Sequence, residues 1–287
     1  MQGTATGLRA DPATRLTDLE QQRPEWRVWI NLLNEASRAL EKEQWQVTVT
    51  ERSGEGSGPD PAPLLQGCTI EVHGGRVRRL AEVLVQAMHG ERPDAGHSIS
   101  ESSAIGLVQA AMSQDPTAFS ALAWELCVDD QALTSVAHLA ALPLLQACGR
   151  LLSDQVPAHW PHGFCPVCAA WPILAERRGL DRGRYLRCGR CSAEWEVEWL
   201  RCVYCGEREH ERLGSLIPED TGELLKIETC GSCQGYLKSV ATLQGIPPFE
   251  LLIQDLETVE LDLVALDRGY QRPAQRKISL RVVSRES

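Results

Sequence analysis

Cys165-Pro-Val-Cys168, Cys188-Gly-Arg-Cys191, Cys202-Val-Tyr-Cys205 and Cys230-Gly-Ser-Cys233 place eight of the chain's 11 cysteines in one stretch, residues 165–233. Two residues between cysteines let both thiolates of a tight turn point at one ion, and two such turns close a tetrahedral sulfur cage. Four turns therefore make two cages. The first two pairs are 19 residues apart and the last two 24, room in each case for a hairpin that returns the chain to its starting turn. One ion per consecutive four-cysteine unit is the simplest assignment. Interleaved sharing, with the first pair joined to the third, requires a more complex crossover.

The sequence between the turns suits this reading. Trp195, Val197 and Trp199 alternate with Glu194, Glu196 and Glu198, the pattern of a strand with one buried face. Leu224 to Thr229 reads as another strand leading directly into Cys230. Small residues at Gly189, Ser192, Gly206, Gly231 and Ser232 let the backbone approach the sulfurs and donate N–H groups to them. Four thiolates suit Zn²⁺ and, equally, iron in a rubredoxin-like site. Structural sites of this kind contribute roughly 10–16 kcal/mol of apparent binding energy, which for a module this small is folding energy. The ribbon region is therefore expected to unfold without metal. A thioredoxin-like dithiol instead expects a Cys-x-x-Cys in a βαβ setting, whereas here there are four in a β-like one.

Outside the cysteine stretch the chain of 287 residues has room for an ordinary core. Arg23 to Gln44 carries Trp26, Trp29, Ile30, Leu33 and Leu40 at helical spacing. SGEGSGPDPAP, from Ser53 to Pro63, breaks the pattern and reads as a loop. A short strand is expected near Thr69 to Val72. Val77, Leu80, Ala81, Leu84, Val85 and Met88 form another helical stripe. Ser100 to Met112 is a third helix with Ser100 or Ser102 as cap, and Pro116 marks a fourth helix start. Ala118 to Cys127 and Gln131 to Cys148 continue the pattern, and SDQVPAHWP ends it between Leu152 and Pro161. After Pro247-Pro248, the residues Leu256, Val259, Leu263, Leu266 and Tyr270 recur at steps of three and four and predict a closing helix. The first fifteen or so residues are polar, small and expected to be flexible.

Charge and hydropathy exclude some function classes. The net charge is −10, and Trp160 to Gly245 holds 11 Lys/Arg against 12 Asp/Glu, so the cysteine segment lacks the positive surface with which nucleic-acid binding begins. Loading two divalent ions onto eight thiolates would make it more negative still. Arg177, Arg178, Arg182, Arg184, Arg187 and Arg190 form a local basic cluster, the best feature for a nucleic-acid surface, although a solvated hairpin or an acidic partner explains it as well. Trp160, Trp171, Trp195 and Trp199 read as packing for a module with little aliphatic core. MQGTATGLRADPATRL lacks an apolar segment of signal-peptide length, and the apolar stretch from Leu133 to Cys148 falls short of a membrane span. These features, with closely paired cysteines, predict a soluble, cytoplasmic protein. Cys68, Cys127 and Cys148 are isolated and read as buried small hydrophobes. His159 and His162 flank the first turn, but eight cysteines already suffice for two cages. No Ser/His/Asp signature, phosphate-binding glycine loop or His-x-x-x-His helix is present, so the expectation is a protein that is not an enzyme.

The run His162-Gly-Phe-Cys-Pro-Val-Cys, then Trp171-Pro, Arg178-Gly-Leu, Tyr185-Leu-Arg-Cys-Gly-Arg-Cys and Trp199-Leu-Arg-Cys-Val-Tyr-Cys-Gly, resembles the FdhE family of formate dehydrogenase accessory proteins. The likeness continues through Glu228-Thr-Cys, Cys233-Gln-Gly-Tyr-Leu-Lys, Asp255-Leu-Glu-Thr and Arg268-Gly-Tyr. It is dense in the C-terminal half and looser in the N-terminal half, where Val72-His-Gly-Gly-Arg-Val-Arg-Arg-Leu carries it. Ala169 departs from the glycine that commonly follows the second cysteine of such turns. The resemblance implies a cytoplasmic factor that binds the catalytic subunit of a respiratory formate dehydrogenase during maturation, before export through the twin-arginine route. It also implies two rubredoxin-like sites with iron favoured over zinc, a capacity to form a homodimer, and Cys165, Cys168, Cys188, Cys191, Cys202, Cys205, Cys230 and Cys233 as ligands.

The expected architecture is α+β, a helical N-terminal domain followed by two tandem rubredoxin-like or zinc-ribbon β modules and a C-terminal helix. Residues 1–157 make the helical domain, 158–200 the first tetracysteine module, 201–245 the second, and 246–287 the closing helix and tail. The leading function is an assembly factor whose sites are structural, with redox sensing as a further expected role. A tandem zinc-ribbon nucleic-acid binder and a rubredoxin-like electron carrier are the alternatives.

Overall fold

Asp11 opens the first helix, α1 (Pro12–Gln22), by accepting from the amides of Ala13 and Thr14 at 3.0 and 3.1 Å, with Pro12 in the first turn where its missing N–H costs nothing. In this computed structural model residues 11–42, 44–50, 61–89, 99–126, 129–219 and 222–285 are described. Of the fifteen or so residues expected to be flexible, 1–10 lie outside the described residues, and from Asp11 onward the expectation fails, because a cap, a proline and the pair Leu16 and Leu19 make a helix with a buried face. The helix expected from Arg23 is divided: Pro24–Trp26 forms a tight 3-10 turn and α2 runs over Arg27–Lys42. It buries Ile30, Leu32 and Ala36, whereas Trp29, counted in the apolar stripe, is exposed.

Four more helices follow much as the periodicity expects. They are α3 (Gly74–His89), α4 (Glu101–Ser113), α5 (Thr117–Leu126) and α6 (Asp130–Leu151). Ser100 caps α4 by accepting from Ser103 N at 3.0 Å, and Asp129 caps α6. Cys127 and most of the Ser53–Pro63 stretch lie outside the described residues. α6 is longer than expected. By length and composition it would cross a membrane, but 67% of its most apolar window is buried inside the protein, so those side chains serve as core.

Strand β1 (Thr48–Thr50) pairs antiparallel with β2 (Thr69–Val72), the strand expected there. The cysteine region supplies β3 (Leu174–Arg178), β4 (Gly183–Arg187) and β5 (Glu194–Glu196), then β6 (Leu213–Leu216), β7 (Leu225–Cys230) and β8 (Tyr236–Thr242). Each triplet is an antiparallel meander. The first strand of one lies parallel to the last of the other, Ala175 opposite Ser239 and Arg178 opposite Thr242. One six-stranded sheet results, in the order β5-β4-β3-β8-β7-β6.

The closing helix is two helices, α7 (Pro248–Glu257) and α8 (Val259–Asp267). Thr258 interrupts them by turning its hydroxyl back to donate to Gln254 O at 2.7 Å, the local competition with helix bonding to which threonine is prone. The tail then returns to the N-terminal half, where β9 (Arg281–Ser284) adds parallel to β2. Gln109 of α4 secures it, donating to Leu280 O and accepting from Val282 N.

The main core joins both halves. Leu107, Val136, Ala140 and Leu144 of the helices belong to the same buried cluster as Cys165, Val167, Leu186 and Trp195 of the first module. Glu176, fully buried, accepts from Arg178 Nε, Arg187 Nη1 and Ile246 N. A buried carboxylate requires such partners, and these attach the start of the C-terminal segment to β3 and β4.

Candidate metal centres

All four cysteine turns share one backbone construction. The amide of each first cysteine donates to the carbonyl five residues on: Cys165 to Ala170, Cys188 to Ala193, Cys202 to Glu207 and Cys230 to Gly235, at 2.8 to 3.0 Å. The residue after each second cysteine has a left-handed backbone, with φ of 59° at Ala169, 66° at Ser192, 78° at Gly206 and 56° at Gln234. This reversal folds both sulfurs of a turn to one side. Only Gly206 adopts it without the Cβ penalty, so the departure noted at Ala169 is one of three.

Consecutive pairs come together, as the simplest assignment expects. Cys165, Cys168, Cys188 and Cys191 form one group and Cys202, Cys205, Cys230 and Cys233 the other, all sulfurs of a group lying within 4.8 Å of one another. In the first, Cys165 and Cys191 are 3.4 Å apart and Cys168 and Cys188 3.5 Å. In the second, Cys202–Cys233 and Cys205–Cys230 are both 3.7 Å. A tetrahedral ion with sulfurs at about 2.3 Å has S–S edges of about 3.8 Å. Both groups fit such an ion with little adjustment. A tetrahedral four-sulfur set suits zinc or iron.

The surroundings of the two groups differ. The first is sealed, no sulfur-bearing residue exceeding 1% exposure, whereas in the second Cys205 is exposed and Cys233 half-buried. Burial, with Cys168 and Cys188 nearby, pushes the Cys165 thiol well up. Burial does the same to Cys191, while hydrogen bonds from Cys165 and Cys168 hold Cys188 well down. Burial raises Cys202 to about 11. At Cys230 burial is outweighed by the amides of Cys233 and Ser232, which lower it. A bound cation resolves this competition by holding all four sulfurs as thiolates.

The turns are tied to each other and to the core. A Cβ at Gly163 would lie 1.7 Å from Val203 O, so the approaches to the two centres touch backbone to backbone. Trp171 and Tyr204 meet edge-on at 5.1 Å across the same junction, and Tyr204 donates to Tyr236 O at 2.9 Å. His162 stacks on Phe164 at 4.6 Å and joins neither group, nor does His159. Cys68 and Cys148 are buried, as expected. The arginine cluster disperses: Arg177, Arg184 and Arg187 are buried and the exposed Arg182 pairs with Glu223. Trp160 and Trp195 are packed, but Trp199, expected on a buried strand face, is 42% exposed because the strand ends at Glu196.

Fold and site define an α+β protein in which a helical half carries two fused tetracysteine ribbons, each a four-sulfur set able to hold one ion. Residues 200–278 match the family model "FdhE, C-terminal domain". The chain is similar to a protein FdhE homolog of Stutzerimonas stutzeri, 39% identical over 114 residues, which are 39% of this chain and 36% of the relative. It is similar to the Haemophilus influenzae (strain PittEE) FdhE homolog, 33% identical over 110 residues, 38% and 35% of the two chains. The matched region thus spans about a third of these curated relatives. The crystal structure of the FdhE protein from Pseudomonas aeruginosa superposes with a TM-score of 0.54 at 22% identity, covering 91% of this chain and 92% of that one; at that identity it shows a common fold. The C-terminal region of the chain is thus similar to the FdhE C-terminal domain, and the fold is shared with an FdhE protein.

Proposed function

We propose that this chain is a non-catalytic accessory factor that binds the catalytic subunit of formate dehydrogenase in the cytoplasm during its maturation, before export. Cys165, Cys168, Cys188 and Cys191 hold one metal ion and Cys202, Cys205, Cys230 and Cys233 a second, iron in preference to zinc. The observation that carries this reading is the match of residues 200–278 to the FdhE C-terminal domain, a span that contains the whole second four-sulfur group. Four sulfurs fill a tetrahedral ion and leave no open position for substrate, so the ions stiffen the ribbons that face the partner. The second ion, beside the exposed Cys205, is the one placed to sense redox state. The test is retention of the catalytic subunit by tagged, metal-loaded chain. Retention under anaerobic conditions supports the reading, and failure under both anaerobic and aerobic conditions overturns it. Metal analysis with a visible spectrum on protein purified without oxygen decides the ion.

A further inference from the structure

One face of the C-terminal half of the sheet is covered by α8, through Ile227, Tyr236 and Ala265. Strand alternation turns Lys226 and Glu228 to the opposite face, where they line a cavity of about 400 Å³ with Arg184, Trp199, Leu200 and Arg201. Cys202 and Cys230 of the second centre form part of its wall. Trp199 and Leu200 are 42% and 62% exposed at its mouth, a costly place for two large apolar side chains in an otherwise polar linker.

The charges of this groove are one-sided. Its lining carboxylate, Glu228, already accepts from Arg184 Nη2 at 2.6 Å. Arg184 is buried and its Nε has no partner among the described residues. Lys226 lies 5.5 Å above the Trp199 ring. Lys226 has no close ion-pair partner among the described residues, with Glu228 and Glu223 acting on it at longer range, and the Arg201 guanidinium lies beside Gly206, which does not line the groove. In a chain of net charge −10, a recess with two cations, Arg184 and Lys226, against the single carboxylate of Glu228 marks out a negatively charged partner. At one end the groove is bordered by Leu213, Gly214 and Ser215 of β6, the last strand of the sheet. Its outer edge offers free backbone groups to an added strand.

We propose that this groove docks an extended segment of the partner polypeptide that carries a carboxylate beside a large apolar side chain. The carboxylate lies against Lys226, the apolar group covers Trp199 and Leu200, and the backbone adds to β6. This rests on the accessory-factor reading above and names the surface and the chemistry it selects.

The experiment measures the affinity of the metal-loaded full chain for the formate dehydrogenase catalytic subunit, with Trp199→Ala, Lys226→Glu and, on the distant α3, Arg79→Glu. Metal content is measured alongside. The groove predicts that Lys226→Glu weakens binding about ten-fold and Trp199→Ala several-fold. Both should keep two ions per chain, and Arg79→Glu should bind as the parent does. Trp199 is exposed and its truncation leaves the fold intact, so equal binding by Trp199→Ala and Lys226→Glu overturns the groove while the accessory reading stands. An equal loss in Arg79→Glu also overturns it, since the attraction would then be general. A parent chain that binds nothing overturns the accessory reading and the groove with it.

Discussion

Gly149, near the C-terminal end of α6, lies against the backbone of Cys191: a Cβ there would sit 2.1 Å from Cys191 O and 3.2 Å from its carbonyl carbon. The longest helix therefore forms the floor of the first centre. Gly149→Ala has to separate helix from turn, which overpacking data place at about 1–3 kcal/mol. The expected outcome is a lower denaturation midpoint together with faster loss of the first ion, measured by metal release, while the second ion is retained.

The four left-handed residues predict opposite outcomes for opposite substitutions. Gly206, at φ 78°, becomes strained as alanine, and Gly206→Ala should cost about 1–2 kcal/mol. Ser192, at φ 66°, already bears that strain, and Ser192→Gly should recover part of it, offset by about 0.5–1 kcal/mol of unfolded-chain entropy. Thermal denaturation of the metal-loaded variants checks both signs. A destabilised Ser192→Gly would show that its side chain matters more than its backbone.

The turns and their sulfur grouping were legible because Cys-x-x-Cys is a local geometry that spacing alone defines. The helices of the first half were legible from their stripes. What spacing does not encode is who lies beside whom. Nothing periodic marks β3 as the neighbour of β8, or sends Arg281–Ser284 back to β2. Gly149 and Gly163 look like ordinary glycines until a carbonyl from elsewhere is found against each. The arginines misled for a related reason: a run of like charges reads as surface, yet Arg187 is buried because Glu176, eleven residues away in sequence, is its partner across two strands.

Lys238 of β8 is 1% exposed and its ammonium contacts Asp255 and Asp262 at 2.6 and 2.7 Å. It thereby pins the junction of α7 and α8 to the sheet. Lys238→Met keeps the stem but leaves Asp255 to Arg272 and Asp262 to Arg272 and Tyr236, and breaking a buried pair in this way costs about 3–5 kcal/mol. Urea unfolding should show that loss, and Asp262→Leu in the same chain should restore part of it. No change in the single variant would mean that Arg272 and Tyr236 suffice.

Tyr236 donates to Asp262 Oδ1 at 2.8 Å. Burial first, and then this bond, push its pKa from 10.0 up to about 12. A raised folded-state value means the phenol's contribution is complete below the unfolded value and is lost as pH rises through the folded one. Stability should therefore fall between pH 10 and about 12, and Tyr236→Phe should flatten that limb. The measurement is the denaturation midpoint against pH in both chains; identical slopes would remove Tyr236 from the linkage.

The contrast between the two centres predicts an order of metal loss. A chelator reaches an ion only where a thiolate can be approached or displaced, and Cys205 is exposed while the first group is sealed beneath α6. One equivalent should leave quickly and the other only as the core opens. Alkylation mapped by mass spectrometry should follow the same order: Cys202, Cys205, Cys230 and Cys233 first, then Cys165, Cys168, Cys188 and Cys191. Cys148 should be among the last to react, because it is buried in α6 and burial, its largest influence, raises its pKa to about 12, leaving almost no thiolate at neutral pH. Simultaneous loss of both ions would show instead that the fused sheet makes the two centres one cooperative unit, since β3 and β8 transmit the opening of either ribbon to the other.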